Sequence, residues 1–269
     1  MSICYLLSQG FVQRAVIAAA LLGIGCGVLS FFVVQRRLAF MGHGIAHSMV
    51  AGVGIGVLLS WPVFWPALAV AVLVAVGVGW IAKRDQISED SAIGITLSAA
   101  LAVGLVLVSL KQGYVTNLEA YLFGSLVAVL PGDLVGLAIL VGVVSAAALI
   151  WWRVLLLFAF DPEGAAVAGY PVETIRYGLL LCLALTVAVA MKIVGILLVG
   201  AFLVIPAAAA GFWSTRPARV VALSVLFALV ASLAGILFSI VVNSPAGASV
   251  VLVLMLLFLA GRILGVYRK

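Results

Sequence analysis

Of 269 residues, 67% are hydrophobic, and only 14 Lys and Arg and 8 Asp and Glu are available to face water. A soluble domain carries about 25% charged residues, so this chain cannot lay a polar skin over a core. It reads as an all-α, polytopic membrane protein with one transmembrane domain over 1–269. The formal net charge of +6 comes without basic patches interleaved with aromatics, which excludes a nucleic-acid partner.

The first apolar run opens only after Arg14, continues for about 20 residues and lacks an A-x-A site, so it is predicted to be a spanning helix and not a cleaved signal. Charged and turn residues divide the chain into nine such runs, at 15–35, 38–60, 62–82, 91–110, 134–152, 177–191, 193–212, 220–242 and 246–265. The segment 118–130, closed by Pro131-Gly132-Asp133, is too short to cross and is predicted to be re-entrant. Nine crossings place eleven basic residues on one side: Arg36, Arg37, Lys83, Arg84, Arg153, Arg176, Arg216, Arg219, Arg262, Arg268 and Lys269. Arg14, Lys111 and Lys192 fall opposite. Basic residues accumulate on the cytoplasmic side, so the C-terminus is expected inside and the N-terminus outside. Gly23, Gly25 and Gly27 mark one close helix seam, and Gly52 and Gly56 another at GxxxG spacing. Pro206, inside the seventh run, removes a backbone donor and predicts a kink. Cys4, Cys26 and Cys182 lack CxxC spacing and read as small buried residues. No internal sequence repeat is visible.

The second run contains the only two histidines, in Phe40-Met41-Gly42-His43-Gly44-Ile45-Ala46-His47-Ser48. Four residues on a helix separate the imidazoles by about 6 Å along the axis and about 40° around it, so both lie on one face. The bland reading gives each a hydrogen bond to a neighbouring helix. The sharper one presents two nitrogens to a divalent cation such as Zn²⁺. Ionisable groups in spanning segments tend to line ion paths, and two ligands suit an ion in transit better than a tight structural site.

Between the fifth and sixth runs, Phe160-Asp161-Pro162-Glu163-Gly164 leads on to Gly169-Tyr170-Pro171 and encodes a short helix. Asp161 is its N-cap, Pro162 its first residue, Glu163 a complement to the dipole, and Gly169 with Pro171 its end. It reads either as an amphipathic connector or as a docking helix for a cytoplasmic partner. Ser88-Glu89-Asp90-Ser91 opens the fourth run as a cap with dipole-matched acids. Glu119 and Asp133 read as solvated turn acids or as attractors of cations to an outer mouth, and Lys192 as snorkelling outward. There is no Walker A loop, dinucleotide fingerprint or hydrolytic arrangement. The chain is therefore not expected to be an enzyme, and any ATP must be bound by a separate chain.

Several ordered blocks resemble the permeases of ABC importers for zinc, manganese and iron. They are Arg36-Arg37-Leu38-Ala39-Phe40-Met41-Gly42 leading to His47, Glu89-Asp90-Ser91-Ala92-Ile93-Gly94-Ile95, Tyr121-Leu122-Phe123-Gly124-Ser125, and Phe160-Asp161-Pro162-Glu163 with Gly169. Val194-Gly195-Ile196-Leu197-Leu198-Val199 before Pro206, and Pro245 with Gly247, extend the likeness over nearly the whole chain. The resemblance implies a bacterial cytoplasmic membrane protein that works by alternating access and carries no permanent cofactor. It implies a cytoplasmic ATP-binding subunit, an extracytoplasmic metal-binding solute-binding protein and a second permease copy. The ATPase-coupling helix would comprise Asp161, Pro162, Glu163, Gly164 and Gly169. The family commonly has Asp where this chain has His43. Imidazole in place of carboxylate shifts the expected cargo toward zinc and away from manganese or iron. A siderophore or corrinoid permease would not need the histidine pair, and an ion-coupled carrier would need intramembrane carboxylates that are scarce here.

Overall fold

Charge segregates along the bundle in the computed structural model, which describes residues 9–84, 87–110 and 129–266. The helices are α1 (Gly10–Gln35), α2 (Met41–Leu59), α3 (Phe64–Arg84), α4 (Glu89–Ser109), α5 (Pro131–Ile150), α6 (Trp152–Phe160), α7 (Pro162–Val167), α8 (Val172–Ala210), α9 (Pro217–Val242) and α10 (Ala246–Val266). Eight stretches of the described chain are long and apolar enough to cross a bilayer, one of them Val172–Gly195 within α8. The apolar side chains point outward as well as inward, with Leu149, Ile150, Val241 and Leu256 all well exposed, as lipid permits. Exposed tryptophans mark both ends: Trp61 and Trp65 at one, Trp80, Trp151 and Trp213 at the other. These are the aromatic belts of a spanning bundle.

The sixth and seventh predicted runs form one element, α8, and the chain breaks at Gly195, not at Lys192 or Pro206. Gly195 has φ 78° and ψ 172°, a conformation open essentially only to glycine. Its consequence is a reversal of direction. The first limb starts beside the charged ends of α3 and α4, where Glu173 meets Lys83 at 3.3 Å and Arg176 meets Glu89 at 2.7 Å. It reaches the opposite end at Lys192, whose Nζ lies 2.6 Å from Asp133 at the start of α5. The shorter second limb, Leu198–Ala210, carries the chain back, so that Gly261 near the end of α10 packs on Trp213 and Ala209. Nine of the eleven described basic residues thus lie at one end, with Arg14 and Lys192 at the other. The predicted sorting survives among the described residues; Lys111, Arg268 and Lys269 lie outside them.

Pro206 retains helical backbone within the second limb, contrary to the predicted kink. Proline fixes φ near its helical value, so the backbone can stay helical here although the Phe202 carbonyl loses its usual donor. Ser30 of α1 bonds the neighbouring backbone groups. Fully buried, its hydroxyl accepts from the Ala207 N–H at 3.1 Å and donates to the Val204 carbonyl at 3.5 Å. A second buried hydroxyl, Ser232 of α9, donates to the Ala19 carbonyl at 3.1 Å.

Both predicted glycine seams are present. A Cβ at Gly23 would lie 3.3 Å from the Ala228 backbone and one at Gly27 2.9 Å from Val225 Cα, so these two face α9. Gly25, between them, faces Val141 of α5. Gly52 and Gly56 admit the backbone of the α2–α3 hairpin at Pro66, Ala67 and Val63. Cys26 is buried and Cys182 half-buried, both as free thiols. The predicted re-entrant segment 118–130 falls almost wholly outside the described residues, as do Glu119, the block 121–125 and Cys4.

Candidate functional site

Met41–Leu59 is helical, so His43 and His47 share a face as their spacing requires. The face is not packed shut: His43 is exposed and His47 half-buried, while Gly42, Gly44, Ile45, Ala46 and Ser48 around them are buried. Two glycines set the imidazole's position. Gly42 brings α2 against Leu203 and Gly200 of the α8 second limb, and a Cβ at Gly200 would fall inside the His43 ring, touching Cε1 and Nδ1. The His43 ring therefore lies flush on the backbone of a limb that begins at the Gly195 reversal. Gly44 completes the placement by admitting Ile93 of α4.

Among the described residues neither histidine makes a hydrogen bond to another helix. Among those residues no three His, Cys, Asp or Glu side chains cluster closely enough to hold a metal ion. The pair thus presents imidazoles on an accessible face, without a hydrogen bond to another helix among the described residues.

The 161–169 segment forms as its residues dictate. Asp161 accepts from the Gly164 N–H at 2.8 Å and Pro162 takes the first helical position, giving the six-residue α7. A Cβ on Gly164 would strike the Asp161 carboxylate in its present position, so the cap as placed here is seated over glycine. At the other end the Gly169 N–H donates to the Ala166 carbonyl and the Tyr170 N–H to the Ala165 carbonyl, each at 3.0 Å. With Gly169 at φ 84°, this is the two-bond glycine stop of a helix. Val167 is 90% exposed, and Phe160 and Tyr170 flank it with exposed rings at the basic end. Tyr170 and Pro171 then lead directly into α8.

Three polar residues have more definite roles than predicted. Ser88 does cap α4, accepting from the Ser91 N–H at 3.1 Å. Glu89, however, forms a largely buried ion pair with Arg176, tying α4 to α8. Asp133 and Lys192 pair with each other, and Lys192 lies 5.5 Å above the Phe64 ring, so neither is a free surface charge. Gly200 was missed by sequence reasoning; its only signal was a glycine in an apolar run beyond Val194-Gly195.

A multi-pass bundle with a reversed helix pair, an accessible histidine face and a capped surface helix at its basic end defines the class of membrane transport proteins. The chain belongs to the ABC 3 transport family, whose profile matches residues 8–265, and it is a multi-pass protein of the inner membrane. It is 38% identical over 258 residues to the manganese transport system membrane protein MntC of Halalkalibacterium halodurans, covering 94% of this chain and 87% of that one. It is 31% identical over 244 residues to the high-affinity zinc uptake system membrane protein ZnuB of Haemophilus influenzae, covering 91% and 94%. Among solved structures it resembles PsaBC from Streptococcus pneumoniae in complex with Fab, with a TM-score of 0.83 and 32% identity over 96% of this chain and 93% of that one.

Proposed function

We propose that this chain is the permease of an ATP-driven importer of a divalent transition metal ion, and that His43 and His47 touch the ion in transit. The supporting observation is a pair of imidazoles on one accessible helix face without hydrogen bonds to other helices among the described residues. In a chain this apolar, such groups are hard to account for except as a polar step in an ion path. Two ligands from one chain leave coordination positions for water, backbone or a second copy, so the ion can also leave. Ligand chemistry favours zinc, since imidazole suits late first-row ions better than manganese. The relatives' names do not single zinc out, because the manganese protein is the more similar of the two quoted.

The same reading makes α7 the docking helix for a separate ATP-binding subunit on the cytoplasmic side, taken as the basic end. Its exposed Val167 and flanking aromatics fit an apolar cleft better than bare water. Movement of α7 would pass through Tyr170 and Pro171 into the first limb of α8, across Gly195, and into the limb carrying Gly200 against His43. Alternating access would then be a change in how the second limb packs on α2. A solute-binding protein would deliver the ion at the opposite face, and two permease copies would frame the path.

Cells carrying His43→Ala together with His47→Ala should lose ATP-dependent zinc and manganese accumulation while keeping the protein in the membrane. Unchanged uptake of both ions would refute the site. Competition between zinc and manganese in the wild type decides the cargo: the histidine argument expects zinc to displace manganese, and the reverse order would make manganese the substrate.

A further inference from the structure

The histidine helix α2 and the helix α4 pack as one unit. The Ile93 side chain of α4 occupies the place where a Gly44 Cβ would stand, next to His43 in the chain. Farther along, Gly104 of α4 lies against the backbone of Val50 and Ala51, and a Cβ on Gly54 would come within 3.0 Å of the Gly104 carbonyl. Close-packed contacts of this kind transmit displacement, so a shift of α4 carries α2 with it.

Glu89 stands one turn before Ile93 on the same side of α4, and it meets Arg176 of α8 at 2.7 Å. The Arg176 and Glu89 side chains are only 15% and 21% exposed. A pair so far withdrawn from water resists separation, because parting would leave two charges buried and unpaired. Lys83 and Glu173, at the same end, are 58% and 45% exposed, and a bond of that kind yields easily. Arg176 lies in the second turn of α8, shortly beyond the glycine stop of α7. The firm link from α7 and the start of α8 to the α2–α4 unit is therefore the Arg176–Glu89 bond.

We propose that Glu89 and Arg176 are positioning residues that form a strut between α7 and the histidine helix. Movement of a docked α7 passes through the start of α8 and this ion pair into α4, and through Ile93 against Gly44 into the segment bearing His43 and His47. The inference rests on the reading of α7 as a docking helix and of α2 as the ion step. It adds a second route to the one through Gly195 and Gly200, so that α8 grips α2 at two places, by its start through α4 and by its second limb at His43.

The test uses the permease co-purified with its ATP-binding subunit, reconstituted in lipid vesicles and supplied with its solute-binding protein and zinc or manganese. Metal ions moved per ATP hydrolysed are measured beside the melting temperature. Glu89→Gln and Arg176→Gln should each lower the melting temperature and cut the ions moved per ATP roughly tenfold, the scale of one residue in a coupled network. The variant carrying both changes leaves no unpaired charge, so its melting temperature should return toward wild type while the ions moved per ATP stay low. Recovery of both quantities together would make the pair a structural bond only and overturn the proposal. A wild-type ratio in either single variant would also overturn it, as would an equal fall in Lys83→Gln, which breaks the exposed pair at the same end. If the single variants do not assemble, the double variant decides alone. Wild type that moves neither ion with ATP would overturn the permease reading and the strut together, whereas the other failures strike the strut alone.

Discussion

The histidine face of α2 and the short helix α7 are built in opposite ways. Every bond that shapes α7 runs within ten residues: Asp161 to Gly164, Gly169 to Ala166, Tyr170 to Ala165. The position of His43 depends on Gly200, more than 150 residues away, and on the reversal at Gly195 that brings it there. One element carries its own instructions, while the other borrows its geometry from a limb distant in sequence. On the proposed function, a docking helix would have to keep its shape when its partner pushes, and an ion step would have to be alterable. The difference in construction matches that division of labour.

The largest test of this contrast is at Gly200. Gly200→Val should push the His43 ring off its seat and lower metal uptake roughly tenfold or more, as losing the support of a metal ligand commonly does. Gly136→Ala, in open space on α5, should leave uptake unchanged. Equal effects from both would show that His43 needs no defined seat. Next comes Gly195→Ala, which forces a side chain into a glycine-only conformation and should cost about 1–3 kcal/mol, read as a lowered melting temperature in detergent. A wild-type melt would mean that the reversal tolerates other backbone geometry.

The local character of α7 is sharpened by a double-mutant cycle. Asp161→Ala removes a cap worth about 1 kcal/mol, whereas Gly164→Ala alone drives a methyl into the retained carboxylate. The pair should therefore be less harmful together than the sum of the singles, measured as retention of the ATP-binding subunit on purification. Additive losses would argue that Gly164 serves a partner and not the cap. The smallest expected effect is Lys192→Ala. Its partly exposed bond to Asp133 should contribute about 0–1 kcal/mol, visible as a small change in melting temperature that disappears in an Asp133→Asn background.

What could be read without coordinates follows the same line. Helical membrane architecture, the gathering of basic residues at one end, the α7 caps and the common face of His43 and His47 all rest on composition or on spacings under ten residues. Lys192 shows where that stops, since its partner Asp133 lies 59 residues earlier in the chain. Glu89 and Arg176 show it again: each looks locally like a helix-end charge, and only packing makes them a pair. Pro206 and Gly195 mark a subtler limit. Proline signals a break even where the backbone stays helical, as it does at Pro206. A lone glycine between apolar residues gives no sign that its φ is positive.

The central claim is that both imidazoles touch the transported ion, and X-ray absorption at the zinc edge on the purified, zinc-loaded permease tests it most directly. Scattering from two imidazole nitrogens at about 2.0–2.1 Å is expected in the wild type and should vanish in the variant carrying His43→Ala and His47→Ala. A wild-type spectrum without imidazole scattering, or an identical spectrum from the variant, would contradict it.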